Sequence, residues 1–133
     1  MKKKLLILIL LIIGLLIGVM VVVGTYSSIY KEVRINCQKA QKEFQRNCNN
    51  SLILLIQSEN FSFREKNSAI WTLGQLADKK SLLFLSQLAK NIPAQERCSY
   101  DSQICGYEVE KAVKWCEKGN LTSFMYKDQG DWK

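Results

Sequence analysis

The stretch 5–23 reads LLILILLIIGLLIGVMVVV, nineteen residues without a charged or polar side chain. As an α-helix it is roughly 28 Å long, at ~1.5 Å rise per residue, and the hydrocarbon core of a bilayer is ~30 Å thick. A secretory signal peptide is the alternative, but its apolar region has only ~7–15 residues and ends at a small-residue cleavage site. The sequence VGTYSS at 23–28 has no Ala-x-Ala pattern. We therefore predict a retained transmembrane anchor over residues 5–23.

The charges that flank the anchor predict its orientation. Lys2–Lys4 precede it, whereas Lys31 and Arg34 on the far side are diluted by Glu32. Because basic residues are enriched on the cytoplasmic side of membrane helices, residues 1–4 are expected in the cytoplasm. The remainder would then be periplasmic or extracellular. Five cysteines in 133 residues agree with this, since disulfides persist in oxidising compartments.

The rest of the chain is long enough for one small domain, and its patterns are helical. Residues 24–47 are polar and predict a juxtamembrane stalk or a first helix. The apolar run 52–56 would suit either a helix or a strand. A helix is preferred, because no second strand candidate is present to pair with it. Ser62 and Glu65 have the spacing of a capping box, which predicts a helix beginning at about residue 62. Further helices are predicted at 82–89 and at about 102–118, with Gly119 ending the last one.

The segment FREKNSAIWTLGQLAD at 63–78, followed by SLLFL at 81–85, resembles the HEAT repeat, especially its bilin-lyase-like subtype. The similarity covers about residues 49–90. It implies an all-α fold with a small HEAT-like antiparallel helical domain at 48–119, followed by a C-terminal tail at 120–133. In that family the arginine matching Arg64 makes polar contacts along the repeat stack, and the glycine matching Gly74 lets paired helices approach closely.

This chain departs from the repeat pattern at two positions and in its length. Asn60 stands where an acidic residue is frequent, and Trp71 is larger than the usual alanine. Stacked repeats generally need about three units to bury a continuous core, and about one and a half are visible here. An ordinary helical hairpin with similar packing is the alternative interpretation.

Most catalytic and metal-binding constellations are excluded by composition. The chain has no histidine, which removes Ser-His-Asp and Cys-His mechanisms and the commonest metal ligand. The cysteines lack the C-x-x-C spacing of zinc and redox sites, and no glycine-rich phosphate loop is present. We therefore predict no enzyme activity, no cofactor and no metal. The basic residues are scattered without interleaved aromatics, so no nucleic-acid partner is predicted despite a net charge of +7. Attraction to anionic lipid or to acidic partners is the alternative that this charge leaves open.

The resemblance, together with the missing catalytic groups, favours a membrane-anchored scaffold or adaptor that binds another protein. The alternative implied by the resemblance is bilin-lyase-like or chaperone activity on a thiol or tetrapyrrole ligand. Gly14 and Gly18 form a G-x-x-x-G, which would allow a homodimer through the anchor. The expected partner-binding surface consists of apolar residues beyond those that one buried face requires, namely Ile53, Leu54, Trp71, Leu83 and Phe84.

Helical geometry limits which cysteines can pair. Cys37 and Cys48, like Cys105 and Cys116, are about 16 Å apart on a continuous helix, whereas bridged Cα atoms lie within about 7 Å. Neither pair closes within a helix. Cys98, in the loop after Pro93, is therefore predicted to pair with Cys105. Cys48 is predicted to pair with Cys116, which leaves Cys37 as the odd thiol.

Overall fold

The computed structural model describes residues 2–92 and 98–127, and the regular secondary structure of these residues is helical, without a strand. The predicted all-α class is confirmed. The parts of the predicted loop and tail at 93–97 and 128–133 lie outside the described residues. The helices are α1 (Lys2–Phe44), α2 (Cys48–Gln57), α3 (Phe63–Leu76), α4 (Leu82–Asn91) and α5 (Gly106–Lys118), with 3₁₀ helices at Lys79–Ser81 and Ser123–Tyr126.

The chain divides into two compact units, Met1–Glu32 and Val33–Lys133. In the first unit, α1 is long and apolar enough to cross a membrane, and no part of its apolar window is buried within the protein. The side chains from Leu5 to Val23 are exposed on every side of the helix. This is the pattern of a helix whose natural surroundings are apolar on all faces.

The second unit begins within α1, at Val33, in the segment 24–47 that was predicted as a stalk or a first helix. Val33, Cys37 and Ala40 are buried, and their spacing of four and three residues places them on one helical face. Asn36 on the same segment donates from Nδ2 to Oγ1 of Thr72 at 2.9 Å. The segment predicted as a stalk or first helix therefore includes the first helix of the folded unit.

The break between α1 and α2 corrects the predicted disulfides. α1 ends at Phe44, Gln45 has a left-handed backbone with φ of 51°, and Asn47 caps α2 by accepting from the N–H of Asn50. The chain therefore turns, and Cys37 pairs with Cys48 at a Cα–Cα distance of 5.0 Å. The predicted bridge from Cys48 to Cys116 is wrong, because it assumed that one helix ran through residues 37–48.

Helix α3 is central to the core of the second unit. It packs against both α2 and α5, and α4 packs on α5. Its first turn has the predicted capping box, in which Ser62 accepts from the N–H of Glu65 and the Glu65 carboxylate accepts from the N–H of Ser62. The fully buried large apolar side chains of this unit include Leu52, Ile70, Leu73, Leu85 and Val109.

Helices α3 and α5 lie close together at Gly74. A Cβ at this position would lie 2.9 Å from the Cα of Ala112 and 2.9 Å from Cε3 of Trp115. Neither the backbone of α5 nor a packed indole ring can yield easily. Glycine at 74 and a small residue at 112 therefore set the separation of the two helices.

The core position of Leu73 is testable in the full chain in neutral detergent. Leu73→Ala should lower the free energy of unfolding by about 2–5 kcal/mol, because Leu73 is fully buried and its truncation leaves a cavity. The matched control Leu83→Ala, on an exposed side chain of α4, should stay within about 0.5 kcal/mol of wild type. Equal effects of the two substitutions in thermal unfolding would remove Leu73 from the core.

Candidate functional site

The predicted bridge between Cys98 and Cys105 is confirmed, with a Cα–Cα distance of 5.5 Å. Its loop is attached to α3 through Asn67, whose side chain is fully buried. The Asn67 amide donates to the carbonyl oxygens of Tyr100 at 3.1 Å and Gln103 at 2.8 Å, and accepts from the N–H of Cys105 at 2.8 Å. Asn67 could not be recognised from the sequence, where it has the position of an ordinary polar residue on an amphipathic helix.

Arg64 contacts the same loop from outside. Its Nε and Nη2 donate to the two carboxylate oxygens of Asp101 at 2.6 Å and 2.9 Å. Both side chains are largely exposed, so the pair contributes little to stability, although its two-bond geometry orients the loop. The role in repeat stacking that the resemblance implies for Arg64 stays a prediction.

A second charged contact joins α1 to α3. Lys39 donates to the carboxylate of Glu65 at 2.5 Å. This hydrogen bond from Lys39, with those from the hydroxyl and N–H of Ser62, lowers the pKa of Glu65 to about 2. Glu65 thus serves both as the acidic member of the capping box and as the partner of α1.

The residues of the predicted partner-binding surface are distributed over three helices. Ile53 and Leu54 lie on α2, Trp71 lies on α3, and all three are half-buried. On α4, Phe84 is half-buried, whereas Leu83 is 71% exposed. Leu83 is therefore the most accessible of the five. In the first unit, a Cβ added at Gly14 or Gly18 would meet no atom within 4 Å, so dimerisation through these glycines stays a prediction.

A cleft of about 590 Å³ opens where the C-terminal ends of α3 and α5 meet the two 3₁₀ helices. Its volume is in the range of small-molecule sites, ~300–1,000 Å³. The C-terminal segment shapes one side of it, because Asn120 donates to the carbonyl oxygens of Gly74 and Gln75 at the end of α3. Four lysines line the cleft, namely Lys79, Lys80, Lys118 and Lys127. Other residues of its lining include Asp78, Cys116, Glu117 and Tyr126.

Cys116 is the one cysteine outside the two disulfides, and it is buried. The thiol is 2% exposed and lies 3.6 Å from the carbonyl oxygen of Leu73. Burial, followed by the negative charge of Asp78, raises the pKa of the Cys116 thiol to about 12. Because the thiolate is the nucleophilic form, this cysteine is poorly suited to covalent attachment of a ligand.

No family model matches the chain, and no curated protein or solved structure is significantly similar to it.

The role of Asn67 can be measured by substitution with alanine. Asn67→Ala should destabilise the protein by about 1–3 kcal/mol for each backbone group of the loop that it leaves buried and unpaired. Reductant should then open Cys98–Cys105 faster, with Cys37–Cys48 in the same molecule as the internal reference. The control Asn60→Ala removes an exposed side chain. Unchanged unfolding and reduction rates would contradict the role assigned to Asn67.

The Glu65 contacts predict a specific acid sensitivity. Because the pKa of Glu65 is lowered from its ordinary value of 4.5 to about 2, the unfolded chain binds its proton first as pH falls. The stabilisation is therefore complete above pH 4.5 and is lost between there and pH 2. Urea unfolding of Glu65→Gln should lack this component of the pH dependence, whereas Glu110→Gln on the exposed side of α5 should retain it. Parallel pH profiles for the two variants would show that Glu65 is not the responsible group.

Proposed function

We propose that this chain is a membrane-anchored interaction module, with the unit from Val33 onward on the extracytoplasmic side. The observation that carries the proposal is the pairing of four of the five cysteines in two disulfides, on a chain whose first helix is apolar enough to span a membrane. Disulfides of this kind are retained outside the reducing cytoplasm. Lys2–Lys4 favour the same orientation, with the N-terminus inside.

The proposal includes a HEAT-like arrangement of the folded unit. In it, α2 and α3 form one helix pair, and α4 and α5 form the next. The packing of α3 on both α2 and α5 supports this, as does the close approach at Gly74. A domain built from so few helices has a large surface relative to its core, which suits recognition of another protein.

The partner is proposed to bind the apolar surface that includes Leu83 on α4. Leu83 is the most exposed of the five apolar residues, and exposed apolar side chains that form a contiguous patch are characteristic of protein interfaces. Phe84 on the same helix and Trp71 on α3 are the half-buried residues that would complete such a surface. We propose no enzyme activity, and the burial of Cys116 gives no support to the alternative of thiol chemistry on a tetrapyrrole.

Topology and disulfides can be tested together in cells. A reporter fused after Lys133 should be active only when it lies outside the cytoplasm, because Lys2–Lys4 hold the N-terminus inside. Peptide mapping without reductant should recover the Cys37–Cys48 and Cys98–Cys105 bridges and a single alkylated thiol at Cys116. Five alkylated cysteines, or a reporter active in the cytoplasm, would overturn the extracytoplasmic assignment.

The interaction surface is tested by photocrosslinking in intact membranes. A photoreactive amino acid at position 83 should yield one stoichiometric protein adduct, because Leu83 is the most exposed apolar residue of the proposed surface. The same amino acid at position 110, where Glu110 is exposed on α5, is the matched control. Equal adducts from both positions would show that α4 carries no preferred partner surface.

A further inference from the structure

The cleft at the ends of α3 and α5 has more positive than negative charge. It is lined by four lysines and by two acidic residues, Asp78 and Glu117. In residues 2–92 and 98–127 the ion pairs involve Lys39, Arg64 and Lys111, and none of the four cleft lysines. Their ammonium groups are exposed and have no acidic partner among the described residues.

Asp78, the acidic residue next to these lysines, is engaged in holding the local structure. Its Oδ2 accepts from Nδ2 of Asn49 at 2.5 Å, and its Oδ1 accepts from the N–H of Lys80 at 3.0 Å, which caps the short 3₁₀ helix. The carboxylate is therefore directed to an amide and a backbone group. The surplus of positive charge in this concave site favours an anionic ligand.

The segment that borders the cleft also exposes two large apolar side chains. Leu121 is 83% exposed and Phe124 is 63% exposed, and both lie between Lys118 and Lys127. Gly119, two residues before Leu121, and Ser123, next to Phe124, line the cleft itself. Exposed apolar side chains interspersed with lysines are typical of surfaces that lie at the level of lipid headgroups, where the lysines meet phosphates and the apolar groups reach the acyl boundary.

We propose that this cleft binds the phosphate headgroup of an anionic phospholipid, with the four lysines around the phosphate and with Leu121 and Phe124 in the interface beside it. Lysine is suited to phosphate binding because its ammonium group acts as a point charge and does not require a fixed two-bond geometry. A soluble phosphate would satisfy the lysines but would leave Leu121 and Phe124 in water. The lipid satisfies both.

This inference rests on the proposed membrane anchorage. One experiment distinguishes a failure of the lipid site from a failure of the anchor. The full chain is incorporated into nanodiscs of phosphatidylcholine with or without phosphatidylglycerol, and co-elution with the discs reports on the anchor alone. Amine-reactive labelling followed by peptide mapping then reports on each lysine. Labelling of Lys79, Lys80, Lys118 and Lys127 should be slower by about fivefold in the anionic discs, as expected for lysines held at an anionic surface.

Control lysines and variants exclude a general effect of the charged bilayer. Lys90 and Lys114, exposed on α4 and α5 outside the cleft, should be slowed much less. Leu121→Ser with Phe124→Ser should reduce the protection of the cleft lysines in anionic discs. The double variant Lys79→Gln/Lys80→Gln should reduce the protection of Lys118 and Lys127 from labelling. The control variant Lys90→Gln/Lys114→Gln should leave that protection unchanged.

Three results would overturn the proposal. Equal slowing of Lys90, Lys114 and the cleft lysines would mean that the bilayer charge acts without a site. A second contrary result would be that inorganic pyrophosphate in phosphatidylcholine discs protects the cleft lysines as well as phosphatidylglycerol does. If this protection persisted in the Leu121→Ser/Phe124→Ser variant, the ligand would be a soluble anion. Labelling rates that are the same in both kinds of disc, with the chain still incorporated, would refute the cleft while leaving the anchor intact.

Discussion

The contact between Gly74 of α3 and Ala112 of α5 is the constraint on which the folded unit depends. A methyl group at residue 74 would lie 2.9 Å from the α5 backbone, so this separation of the two helices requires a residue without a Cβ at position 74. Because α3 also packs on α2, this separation sets the position of the layers on both sides of it. The cleft depends on the same contact, since it opens where α3 and α5 end and where Asn120 binds the last carbonyl groups of α3.

Much of the secondary structure could be predicted from the sequence, because local signals decide it. The Ser62–Glu65 capping box, the apolar face of α3 and the termination of α5 at Gly119 involve residues within one or two turns of each other. The end of α1 could not be predicted in this way. The helix ends at a residue with a left-handed backbone, Gln45, and glutamine does not favour this conformation as glycine does. The Cys37–Cys48 disulfide and the Asn47 cap lie on either side of this turn and close it.

The polar residues that hold the candidate site together were the least predictable. Asn67 and Asn120 each bind backbone groups more than thirty residues away along the chain, and such contacts leave no periodic pattern. The cleft lysines could not be recognised as a group from the sequence, because the basic residues are scattered along it. They come together only when the ends of α3 and α5 meet. The two disulfides close short loops, of 11 and 7 residues, so they constrain local turns more than the whole chain.

The boundary at Val33 has a physical consequence for how the folded unit is maintained. Val33, Cys37 and Ala40 supply one wall of its core, and Lys39 and Asn36 supply polar contacts to α3. A chain that began at Cys48 would expose the apolar face that these residues cover and would leave Cys48 without its partner. The second half of α1 is therefore a structural part of the folded unit.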